Sequence, residues 1–254
     1  MTEQTREVQA RFEAARAEVI AKREERQGIG TLSEKTTHAM LKAFLEPDET
    51  RREVPFAGYV ADILNPDGVI EIQSAGFHAL RKKLQAFLPK VPVTIVYPAV
   101  GTKYLTWIDP ETGELSEPRK SPKKNGRLDV LKEIYWIRDL LSDPNLTVRM
   151  FVLELDEYKQ QDGYGAEHKL RASRYDRVPR RIEEEWLLQG PASYAALLPE
   201  TLPEVFTAQD WRRVSRFSGK VASTTLRTLC DLKIVEKTGQ DGRKYLYRIC
   251  RNGG

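Results

Sequence analysis

Asp62, Glu71 and Gln73 are the residues whose types and spacing come nearest to a reaction. They flank Asn65-Pro66-Asp67-Gly68, a turn signal between two runs of strand-forming residues. Across an antiparallel hairpin centred near Pro66 and Asp67 the two carboxylates come close, and side-chain alternation puts residues 71 and 73 on one face. Two carboxylates with a backbone carbonyl make an oxygen-rich edge of the kind that hard cations such as Mg²⁺ or Mn²⁺ prefer. Such a metal acidifies a bound water and offsets the charge that builds on a phosphate, which is the chemistry of phosphodiester hydrolysis. Each residue also has a plainer reading, with Asp62 as a turn cap and Glu71 and Gln73 as the solvated face of an edge strand.

Ordinary elements have to position these side chains. Residues 2–28 read as a polar helix with a narrow apolar stripe of Val8, Phe12, Ala15, Val19 and Ile20, ended by Gly28 and Gly30. That stripe suits a solvated helix docked by one edge, or a short coiled-coil arm that admits a homodimer. Thr31 or Ser33 can cap a second helix running to about Leu45, which Pro47 and Asp48 stop. Residues 53–74 are rich in strand formers, with Gly58 marking a bulge or bend. A basic amphipathic helix covers about 77–88, and residues 91–98 form another strand. The order α-β-β-β-α-β predicts an α/β core.

In that order, Glu34 on a helix, Asp62, Glu71-X-Gln73 and the basic helix resemble the PD-(D/E)XK superfamily, which includes restriction endonucleases, Holliday-junction resolvases and RecB-type nucleases. The resemblance spans about residues 31–98. It implies a mixed central sheet flanked by helices. It implies that Asp62, Glu71 and the Ile72 carbonyl hold Mg²⁺ or Mn²⁺ and that Glu34 supports the metal shell. His38, one turn after Glu34, is similar to a histidine found in some members. Gln73 departs from the pattern, because the family usually places Lys there and Gln carries no positive charge. Some members use Gln at this position and others move the Lys to the next helix. Here Lys82 or Lys83 would supply the charge while Gln73 positions the attacking water. A non-cleaving relative with a decayed core is the alternative that Gln73 leaves open.

Further along, residues 104–109 and the turn Pro110-Glu111-Thr112-Gly113 predict a hairpin, 129–141 an amphipathic helix, 146–155 a strand and 182–188 a helix. Arg119, Lys120, Lys123, Lys124 and Arg127 make a basic loop, suited to tracking phosphates or simply to solvation. Lys169, Arg171, Arg174, Arg177, Arg180 and Arg181 recur near Tyr164 and Tyr175. Cations mixed with aromatics suit single-stranded or distorted nucleic acid, and the alternative is a helix with an exposed basic edge.

Thr207 with Asp210 forms a capping-box pattern that starts a helix of about 208–217. A second helix over about 222–232 and strands at 234–237 and 244–249 complete the order of a winged helix. Its second helix would present Ser223, Thr224, Thr225, Arg227 and Thr228 to a major groove, with Lys220, Arg243 and Lys244 near phosphate. Many winged helices contact protein instead.

The 254 residues, 40% apolar and 31% charged with a net charge of +4, allow one or two packed domains and lean only mildly towards polyanions. Two cysteines give no disulfide framework, and neither a signal peptide nor a membrane span is visible, which suits a cytoplasmic setting. The expectation is an N-terminal arm (1–30), a nuclease-like domain (31–190) and a winged helix (191–254). Its partner is DNA, single-stranded or branched forms included.

Overall fold

The computed structural model describes residues 3–26, 36–122, 126–160 and 173–250. Its centre is a seven-stranded mixed sheet. Strands β1 (Arg52–Phe56), β2 (Tyr59–Asn65) and β3 (Gly68–Ile72) form an antiparallel meander. Helix α3 (Phe77–Phe87) then crosses to β4 (Val93–Ile108), which runs parallel to β3. The short β5 (Arg119–Lys120) pairs with β4, β6 (Leu146–Gln160) lies parallel on its other side, and β7 (Ser173–Gln189) closes the order antiparallel to β6. The protein is thus α/β, with a mixed central sheet flanked by helices.

Each flank follows from an apolar stripe. In α1 (Glu3–Arg26), Phe12, Ala15 and Val19 are buried against Met40, Leu41 and Phe44 of α2 (Thr36–Leu45) and against Ile72, Val96 and Phe151 of the sheet. The stripe that admitted a homodimer is therefore covered by the chain itself. On the other face, Phe77, Leu80, Leu84 and Phe87 of α3 pack with Val93, Ile95 and Tyr97 and with α4 (Val130–Ile134). The β1–β2 turn is Ala57-Gly58, both in the left-handed region, which matches the two-residue turn that strand twist favours.

The C-terminal segment forms β8 (Val205–Thr207), α6 (Ala208–Ser215), α7 (Gly219–Asp231), β9 (Val235–Asp241) and β10 (Lys244–Ile249), with a second sheet in the order β8-β10-β9. Thr207 and Asp210 make the predicted capping box. Trp211, Leu226 and Leu229 join the same apolar cluster as α3 and α4, and Arg138 pairs with Asp231 at 2.9 Å.

Three expectations are corrected. Residues 93–108 are one strand, because a bulge between Val100 and Lys103 absorbs the irregularity that reads as a break. The helix expected over 129–141 is only Val130–Ile134, flanked by 3-10 turns. Residues 182–188 are strand, not helix: Val178, Ile182 and Trp186 mimic a helical spacing, yet pairing with β6 along its length decides the conformation. Among the described residues no helix is long and apolar enough to cross a membrane.

Candidate functional site

β2 and β3 pair only from Ile63–Ile70 to Asn65–Gly68 and then part. In the resulting fork the Ile72 amide donates to Asp62 Oδ2 at 2.7 Å, so a side chain replaces the missing backbone rung. His38 Nε2, from α2, lies 3.2 Å from the same oxygen. Asp62 Oδ1 has no protein partner among the described residues. Glu71, on the opposing strand, is 2% exposed, and both its oxygens accept from Lys83 Nζ, at 2.9 and 3.2 Å. The same ammonium donates to the Val60 carbonyl at 2.8 Å, tying α3 across the mouth of the fork.

The two carboxyls are pushed apart in acidity. Burial pushes the Glu71 carboxyl up, the Asp62 charge adds to this, and Lys83 only partly opposes it. Burial also pushes Asp62 up, but His38, the Ile72 amide and Lys83 outweigh it and hold the carboxyl below its usual range. One member of the pair thus stays ionised while its neighbour holds a proton more readily.

Of the expected site residues, Asp62, Glu71, Ile72, His38 and Lys83 come together. Gln73 does not join them: its amide donates to the Ala75 carbonyl at 2.5 Å, so it closes its own turn. Lys82 is exposed and takes no part, because on a helix only one of two successive lysines can face the sheet. Glu34 lies outside the described residues, as do Lys123, Lys124, Lys169 and Arg171. Glu133 is a residue that sequence reasoning missed: its carboxylate accepts from the Gly76 and Phe77 amides at 2.6 and 3.2 Å, anchoring the start of the helix that carries Lys83. Its separation of more than fifty residues from that helix hides it from local patterns.

Among the described residues no group of three or more His, Cys, Asp and Glu side chains forms a ready-made metal site. The two carboxylates at the fork are of the donor type that Mg²⁺ or Mn²⁺ take, one or two carboxylates completed by water and substrate phosphate, and both Glu71 oxygens are engaged by Lys83.

The expected nucleic-acid residues divide. Lys120, Lys220, Arg227, Arg243 and Lys244 are exposed, and the Thr224 hydroxyl donates to the Lys220 carbonyl at 3.1 Å. Thr225 and Thr228 are fully buried instead of facing a groove. Thr225 accepts from the Trp211 indole at 3.0 Å. Arg127 lies over the Trp186 ring. Arg180 and Arg181 are committed to Asp156 and Glu154, whereas Arg174 is half exposed.

Residues 35–189 match a family model described as "Domain of unknown function (DUF8091)". Over 221 residues the chain is 28% identical to a protein of Treponema pallidum (strain Nichols) named "Uncharacterized protein", and the match covers 87% of each chain. No solved structure matches the chain.

Proposed function

The chain belongs to the DUF8091 family, and from that premise we propose that it is a metal-dependent deoxyribonuclease with a restriction-endonuclease-like core. In this reading residues 31–190 form the PD-(D/E)XK domain, residues 191–254 form a winged helix that targets DNA, and α1 of the N-terminal arm (1–30) braces the core. The observation that carries it is the fork: Asp62 and Glu71 stand on strands that part at that point, and Lys83 reaches in from the following helix. The order α2-β1-β2-β3-α3-β4, with β3 and β4 parallel, supports the same reading.

Asp62, Glu71 and the Ile72 carbonyl would hold Mg²⁺ or Mn²⁺, which supplies an acidified water and charge stabilisation when bound. Lys83, not Gln73, is the cation that faces the reacting phosphate and orients the nucleophile. His38 fixes the Asp62 carboxylate in the fork. α7 and the β9–β10 turn, with Lys220, Arg227, Arg243 and Lys244, contact the DNA.

A second reading rests on the same ion pair. Lys83 already neutralises Glu71, and Gln73 is turned to Ala75, as in a core that binds DNA without cutting it. The test is cleavage of single-stranded, duplex, flapped and branched DNA, and of RNA, with Mg²⁺ or Mn²⁺, for the wild type and Glu71→Ala. Metal-dependent cutting of DNA that Glu71→Ala abolishes supports the nuclease. Binding without cutting selects the decayed core, and neither binding nor cutting leaves a protein-interaction module.

A further inference from the structure

Beyond β3, the strands β4, β6 and β7 continue together and bring distant residues into two rows. Arg119, Leu105, Glu157 and Arg177 are successive register partners across β5, β4, β6 and β7. Trp107, Lys159 and Arg174 form the next row, spanning about 10 Å at the usual strand spacing.

Glu157 is the hub. Its carboxylate is 3% exposed and takes Arg177 at 2.7 Å and Lys103 at 3.0 Å, with Arg174 at 3.7 Å and Lys159 at 4.0 Å. Four cations share one anion, and among the described residues none of the four pairs with another carboxylate. The nearby acids are already engaged. Asp129 accepts from Lys132, Glu133 from the amides that start α3, and Asp156 from Arg180. Burial and the neighbouring Arg177 and Lys159 push the Lys103 ammonium down despite Glu157, as expected where cations are in excess.

Among the described residues this is a surplus of positive charge held on the sheet, and an anion from outside the chain would relieve it. Aromatic side chains lie on the same strands. Lys159 lies over the Trp107 ring at 5.6 Å, and Tyr175, next to Arg174, is 54% exposed. Cations spaced along a sheet beside aromatic faces match a phosphodiester backbone with unstacked bases, whereas an acidic peptide would make no use of the rings. We propose that the β4–β6–β7 extension is a binding site for a single-stranded nucleic-acid segment, with Lys159 and Arg174 contacting phosphates and Trp107 and Tyr175 stacking on bases. Lys103 and Arg177 are positioning residues that hold Glu157. The site rests on the nucleic-acid part of the function proposed above and not on its cleavage chemistry.

The experiment is fluorescence anisotropy of labelled oligo-dT and of a duplex of the same length, in EDTA, over a salt series. The wild-type chain is compared with Lys159→Gln/Arg174→Gln, which leaves Glu157 its two short ion pairs. The single strand binds more tightly than the duplex. The double variant loses about 25-fold affinity at 0.1 M salt, and its salt slope falls by about 1.4, as expected from roughly 0.7 per phosphate contact on single strands. Lys159→Arg/Arg174→Lys, which keeps both charges, retains binding and controls for folding. Equal affinity and salt slope for the wild type and the double variant, or no single-strand binding by the wild type, overturns the site. Cleavage that fails while this binding persists overturns the nuclease and leaves the site standing.

Discussion

Lys83 reaches from α3 to both carboxylate oxygens of Glu71, at 2.9 and 3.2 Å, and closes the fork that Asp62 holds open from the other strand. A lysine on the next element thereby takes the place next to the acid that Gln73 leaves empty by turning to Ala75. The adjacent Lys82 faces solvent. Lys83→Ala is therefore expected to abolish cleavage, while Lys82→Ala changes stability by less than about 0.5 kcal/mol and leaves cleavage intact. Equal loss in the two variants would remove Lys83 from the site.

Metal binding should depend on pH through Glu71. Burial and the Asp62 charge raise its native pKa above the ordinary value of about 4.3, so its proton has to leave before a cation enters. Affinity for Mn²⁺, followed by calorimetry, is expected to rise with pH through and above that range, with proton release. The stability sign follows as well. A raised carboxyl stabilises the fold below the unfolded pKa, and that contribution is lost as pH rises through the native one. Glu71→Gln should therefore raise Tm at neutral pH. A lower Tm contradicts this.

Glu157 has the opposite sign. Burial pushes it up, but Arg177 and Lys103 outweigh burial and hold it below the usual range. Its contribution is present above the unfolded pKa and is lost as pH falls through the native one. Glu157→Ala, which strands Lys103 and Arg177, is expected to cost about 3–5 kcal/mol in urea unfolding at pH 7, and less at acid pH. A cost that does not shrink on acidification would show that the ion pairs are not its source.

The Trp211 indole N–H donates to Thr225 Oγ1 inside the C-terminal core. Thr225→Val preserves shape and removes the acceptor, and about 1–3 kcal/mol of stability goes with it. If Thr225 instead read a DNA groove, the variant would lose affinity at unchanged Tm.

Gly101 sits in the β4 bulge where a methyl group would collide with the Glu183 carboxylate and with Val152. Glu183 accepts the Thr102 amide at 3.0 Å. Gly101→Ala is expected to cost roughly 1–3 kcal/mol by displacing Glu183, and a neutral substitution would mean that the bulge adapts freely.

Local chemistry alone determined a good part of this protein. The Asn65-Pro66-Asp67-Gly68 turn, the stripe of α1, the capping box of Thr207 and Asp210 and the order of elements from α2 to β4 all depend on neighbours within a few residues, and periodicity and turn preference read such features directly. That was enough to place Asp62 and Glu71 on facing strands. Tertiary structure decided the rest, because the deciding partners are far away along the chain. Helical spacing could not predict that residues 182–188 pair with β6. Nor could the sequence choose between Lys82 and Lys83, since that depends on which side of α3 packs on the sheet. The gathering of Lys103, Lys159, Arg174 and Arg177 around Glu157 exists only in the register of three strands, where Lys103, more than fifty residues before Glu157, becomes its neighbour across a few ångströms.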